Sequence, residues 1–182
     1  MIDEREHWVN ICKLVSAKCL NIFDDIRSNK LKSEIVSHLF ETQTEKYFKS
    51  IGYNVSGAKN DHDPDLFCHT TNKPYEIKVT KVSGCVVNKC KWMGGKYSKR
   101  TSDYVLIMWN QHNTFFGEDI SFNITKCFID EGEWYSIDNG KENYYATNFK
   151  CDTILKKDYK VLIGNVSNGK FLLEGFKNGW FI

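Results

Sequence analysis

The sequence lacks any apolar run long enough to cross a bilayer. Its longest, Tyr104-Val105-Leu106-Ile107-Met108-Trp109, falls far short of the ~20 residues a helical span requires. It holds only two prolines, and no Pro-, Gly- or Ser-rich linker, internal repeat or low-complexity tract divides its 182 residues. One compact domain is therefore expected. Net charge is only +2, and with 14% aromatic residues the composition excludes a largely disordered chain. There is no C-x-x-C, and the seven cysteines are an odd number. That usage fits reduced thiols better than a secreted disulfide framework. Cys68-His69 and Cys85-x4-Cys90 lack the spacing of a zinc finger and read as small hydrophobes. The opening Met1-Ile2-Asp3-Glu4-Arg5-Glu6 is charged and mixed in sign, unlike a signal peptide. The expectation is a soluble cytoplasmic domain with no membrane partner.

What charge there is, is unevenly placed. From Lys73 to Arg100 eight basic residues stand against the single acid Glu76, whereas Asn113 to Tyr145 carries seven acids against Lys126 and Lys141. A basic stretch inside a near-neutral domain is a candidate polyanion-facing surface. On charge alone it reads equally as a solvated lysine-rich face.

Apolar residues at Trp8, Ile11, Cys12, Val15, Cys19, Ile22, Phe23 and Ile26 predict an amphipathic helix over 4–27. Ile35, Leu39, Phe40, Tyr47, Phe48 and Ile51 predict a second helix over about 31–50, closed by Gly52. The period then changes. Short strands are expected at Tyr53-Asn54-Val55 and Leu66-Phe67-Cys68, and an alternating one at Tyr75–Thr80 after a turn at Thr71-Asn72-Lys73-Pro74. The run Tyr104–Trp109 predicts a central strand buried on both faces. Ile120–Phe128 and Lys160–Gly164 are further strand candidates, and Ser167-Asn168-Gly169 a hairpin turn. Two helices followed by strands imply an α/β (α+β) architecture.

The chemistry concentrates between Glu41 and Lys78. Pro64-Asp65 opens one strand, and Glu76-Ile77-Lys78 lies on the next. Residues 76 and 78 leave the same strand face while Ile77 enters the core. If the strands pair as a hairpin, Asp65 comes beside Glu76. Two carboxylates and an ammonium then share one patch. Such a patch suits metal-assisted phosphodiester hydrolysis, with oxygen ligands for Mg²⁺ and a cation beside the developing charge.

The pattern Pro64-Asp65-x10-Glu76-Ile77-Lys78 resembles the signature of the PD-(D/E)xK, restriction-endonuclease-like nuclease superfamily. Three further features carry the resemblance. Glu41 lies on the preceding helix, eleven residues before the Gly52-Tyr53-Asn54-Val55 strand entry. The apolar strand Tyr104–Trp109 follows at a suitable distance. Trp92-Met93-Gly94-Gly95-Lys96-Tyr97-Ser98-Lys99-Arg100 is similar to glycine- and basic-rich stretches near DNA in restriction enzymes. The resemblance covers roughly residues 34–110.

The resemblance implies a central mixed β-sheet flanked by helices within a single nuclease domain over 1–182. Residues 31–110 are then the catalytic core and 111–182 its β-rich completion. The first 30 residues supply either a dimer contact or packing on the domain's own core. It implies an Mg²⁺-dependent endonuclease, with Mn²⁺ as a substitute, that hydrolyses double-stranded DNA to 5′-phosphates. The nearest likeness is a type II restriction endonuclease, acting as a homodimer in a host with a matching methyltransferase. A structure-specific repair nuclease or Holliday-junction resolvase would use the same site, and a non-catalytic DNA-binding module is the rival of another class. Asp65, Glu76, the Ile77 carbonyl and Glu41 are the implied metal-site residues, with Lys78 completing the catalytic set by positioning or deprotonating water. Lys81, Lys96, Lys99 and Arg100 are candidates for DNA contacts, with Trp92 and Tyr97 read first as core. Asp61 and Asp63 are nearby alternatives to Asp65, and Glu45 and Glu34 to Glu41. Leu66 and Asn72 stand where an EF-hand needs Gly and Glu, which excludes that loop. His62 and His69 flank the site.

Overall fold

The computed structural model describes residues 2–95, 101–115, 117–138, 143–150 and 159–177. Two helices come first, α1 (Arg5–Phe23) and α2 (Asn29–Ser50). The Oγ of Ser28 caps α2 by accepting the Leu31 N–H at 3.3 Å. Gly52, at φ +89°, closes it, with the Tyr53 N–H returning to the Phe48 carbonyl at 2.9 Å.

Among the described residues thirteen strands follow. They are β1 (Val55–Gly57), β2 (Leu66–Cys68), β3 (Lys73–Lys81), β4 (Val86–Val87), β5 (Lys89–Gly95), β6 (Ser102–Thr114) and β7 (Gly117–Ile129), then β8 (Tyr135–Asp138), β9 (Asn143–Lys150), β10 (Tyr159–Ile163), β11 (Asn165–Ser167), β12 (Lys170–Leu172) and β13 (Glu174–Gly175). The central sheet has the order β1-β2-β3-β6-β7-β10, with β13 also on β7. It is mixed: β3 and β6 run parallel, and the other neighbours are antiparallel. The described part of the β3-to-β6 crossover carries β4 and β5, where a parallel connection is more often helical.

Strand β6 is buried on both faces, as its continuous apolar run predicts. Val105, Ile107 and Trp109 join a core with Trp8, Phe23, Phe40 and Phe48 from the helices. Tyr104, Leu106 and Met108 join a second core with Trp92, Trp134 and Phe171. Each such side chain contributes about 1.5–3 kcal/mol by its burial.

The central mixed sheet and its two helices are present as expected for an α+β fold. Among the described residues both helices lie on one face, and strands cover the other. Among the described residues no α-helix follows Ser50, so the second core is closed by the three-stranded sheets β5-β9-β8 and β11-β12-β4. The apolar side of α1, one candidate for a dimer contact, is used within the chain: Trp8, Ile11, Cys12, Val15, Cys19 and Phe23 are fully buried. The hairpin turn at Ser167-Asn168-Gly169 forms as expected, with Asn168 and Gly169 both at positive φ (49° and 71°).

Candidate active site

Strands β2 and β3 pair with Leu66 opposite Tyr75, so the next position outward sets Asp65 opposite Glu76. Leu66 and Tyr75 are buried in the helix-side core, which turns the following pair to the other face. The Ile77 N–H donates to Asp65 Oδ2 at 2.7 Å. Lys78 Nζ reaches the same oxygen at 3.3 Å and Glu76 Oε2 at 3.4 Å. The two strands do pair as a hairpin, and the pairing brings both carboxylates and the ammonium together.

Burial sharpens the arrangement. The Glu76 side chain is 5% exposed, Lys78 15% and Asp65 21%, so the acids sit at the wall of the site rather than in bulk water. Coulombic attraction is therefore stronger here than at an open surface.

Glu41 projects from α2 and accepts a hydrogen bond from Ser37 Oγ at 3.3 Å, one helical turn earlier. Burial first, and then the charge of Asp65, push its carboxyl above the usual carboxylate range; Ser37, Lys78 and His38 pull the other way. Among the described residues no three His, Cys, Asp or Glu side chains converge closely enough to hold one ion together. Glu41 is thus near enough to feel Asp65 and Lys78 electrostatically, without completing a three-carboxylate cluster.

The donor set fits a hard divalent cation. Both protein donors to Asp65 engage Oδ2, and Oδ1 receives none among the described residues. Asp65 and Glu76 bring two carboxylates to the Lys78 ammonium, and Glu41 adds a third acid within electrostatic reach. Carboxylate oxygens are the ligands that Mg²⁺ takes.

The alternative acids have other work. Asp63 Oδ2 accepts the backbone N–H groups of Lys59 and Asn60 at 2.9 and 3.2 Å, which closes the loop before Pro64. Asp61 is exposed. Glu45 is held by Lys49 at 2.6 Å and by the Gly57 backbone, so it ties α2 to β1. Glu34 is exposed beside Lys30. His69 meets Ser56 Oγ at 3.0 Å, and His62 is exposed.

Lys81 lies past the site on β3, donating to Asn29 Oδ1 at 2.6 Å and lying 5.5 Å over the Trp109 ring. Trp92 is core, 1% exposed. Lys96, Tyr97, Lys99 and Arg100 lie outside the described residues. Sequence reasoning missed Ser37, although its position four residues before Glu41 on one helix was a usable signal. No protein-family model matches the chain, and no curated protein is significantly similar to it in sequence.

Proposed function

We propose that the protein is a Mg²⁺-dependent endodeoxyribonuclease with a restriction-endonuclease-like core, acting on double-stranded DNA as a type II restriction endonuclease does. One observation carries the reading: Asp65 and Glu76 face each other across paired strands with Lys78 within 3.4 Å of both. Asp65, Glu76 and the Ile77 carbonyl would hold the cation, and Glu41 would add its charge from α2. Mg²⁺, when bound, supplies Lewis acidity at the phosphate and a more acidic water.

The chain's own groups do the rest. The Ile77 N–H fixes Asp65 by its Oδ2 and leaves Oδ1 without a donor among the described residues. Lys78, already anchored between two carboxylates, orients the water for in-line attack and offsets negative charge on the phosphorane oxygens. The 3′-oxygen departs and the phosphate stays on the 5′ side. One site per chain cuts one strand, so a two-fold dimer on a palindrome is the simplest route to a double-strand break.

The test is cleavage of long unmethylated genomic DNA with Mg²⁺ or Mn²⁺, beside EDTA and Asp65→Ala. Discrete fragments that vanish in both controls are expected. Cutting confined to branched substrates would shift the reading to a junction or repair nuclease. Metal-independent DNA binding without cleavage of any substrate would replace it with a binding module.

A further inference from the structure

Beside the candidate site lies a groove of about 640 Å³ between the end of β3, the β4–β5 turn and the start of β12. Lys81, Lys89, Lys91 and Lys170 line it, with Thr80 and Asn88 between them and no carboxylate among the described residues of its wall. Lys89, Lys91 and Lys170 are exposed, and none of the four lysines is ion-paired among the described residues. Burial and the neighbouring charge of Lys32 hold the Lys81 ammonium below the usual lysine range, on the helix side of β3 where it meets Asn29.

The groove begins two residues along β3 from Lys78. Thr80 lies two residues beyond Lys78 on the same strand face, about 7 Å along β3, and its Oγ donates to the Lys91 carbonyl at 3.2 Å. That offset corresponds to about two steps of a DNA strand at ~3.4 Å of rise each. Lys170 arrives from the far end of the chain because β12 pairs with β4, Phe171 opposite Val87.

We propose that this groove is the track for the phosphate backbone of the DNA strand flanking the scissile position, followed by Lys89, Lys91 and Lys170. The inference rests on the nuclease reading and adds to it the path of the substrate and a role for the C-terminal hairpin. A polymer fits better than a compact anion. The cations are flexible point charges spread over β5 and β12, which suits a row of phosphates rather than one clamped group.

Duplex binding in EDTA tests the track separately from catalysis. Fluorescence anisotropy of a labelled duplex of about 30 base pairs is followed from about 50 to 200 mM salt. Lys89→Gln/Lys170→Gln is compared with the native chain and with Lys13→Gln/Lys18→Gln, which removes two exposed lysines of α1. The groove variant is expected to bind about tenfold or more weakly, with a salt slope shallower by about 2, while the α1 variant keeps native behaviour. Equal losses in both variants, or an unchanged slope in the groove variant, overturn the track. So does tight uptake of inorganic phosphate while duplex binding ignores the groove substitutions. Asp65-dependent cleavage that survives any of these results leaves the nuclease reading standing and removes only the track.

Discussion

The amide of Ile77 donates to Asp65 Oδ2 at 2.7 Å, so the backbone of one strand holds the carboxylate at the head of its neighbour. The bond fixes that oxygen 3.3 Å from the Lys78 ammonium before any substrate arrives. Positioning of this kind is prepaid in folding and is not charged against the reaction.

Lys78 acts as the resident counter-ion of the site. Removing it by Lys78→Ala leaves the nearly buried Glu76 without that partner, at a cost of about 2–3 kcal/mol in EDTA. Cleavage should fall by about 100-fold or more. Because a cation binding only the folded state stabilises it, Mg²⁺ should raise the melting temperature of Lys78→Ala more than that of the native chain. Equal shifts in thermal unfolding would show that the carboxylates do not take the metal.

Glu41 gives a pH signature. Its folded carboxyl titrates above the ordinary value near 4.5, because burial and Asp65 disfavour the charged form. The folded state therefore binds this proton more readily than the unfolded one, and stability falls as pH rises from 4.5 through the raised value. Glu41→Gln, which keeps an acceptor for Ser37, should be more stable than the native chain at pH 7 in EDTA. The advantage should vanish below the ordinary value and be accompanied by reduced cleavage. Denaturant curves at several pH values decide it; an advantage that grows toward acid would reverse the sign.

Gly164 joins β10 to the hairpin that carries Lys170. It sits at φ +78°, and a Cβ there would meet the Leu172 carbonyl and Asn123. Gly164→Ala should cost about 2–4 kcal/mol, from backbone strain and a clash that no side-chain rotation relieves. Gly84→Ala, also at positive φ but with open space around it, should cost only about 1 kcal/mol. Similar midpoints for the two in urea would refute this packing.

Cys85 should be the first of the described cysteines to react with iodoacetamide. It is exposed, whereas Cys12, Cys19, Cys68, Cys90 and Cys127 are buried. Burial also pushes the Cys19 thiol up to about 12 and Cys12 well above its usual range. Peptide mass spectrometry after brief labelling reads the order. Early modification of Cys12 or Cys19 would contradict the buried helix face.

Much of this arrangement was legible in one dimension, for local reasons. The three-four spacing of Trp8 to Phe23 determined which side of α1 is buried, and Gly52 marked where α2 stops. The alternation at Glu76-Ile77-Lys78 was enough to put both charged side chains on one strand face, while Asp65 beside Glu76 was conditional on a hairpin that the strand pairing supplies. The continuous run through β6 likewise announced burial on both sides.

What covers that second face was not legible. Residues 86–95 and 165–172 are short, mixed ribbons whose local pattern names no partner. Only the closing of the sheet decided that, among the described residues, they seal the core around Trp92 and Phe171. The same closure decided the charge around the site: it set Glu41 close enough to Asp65 to shift its titration and brought Lys170 to the groove of Lys89 and Lys91. Periodicity along a chain specifies which face of an element is apolar. It carries no information on which distant element meets that face, because that is settled by the packing of the whole core at once.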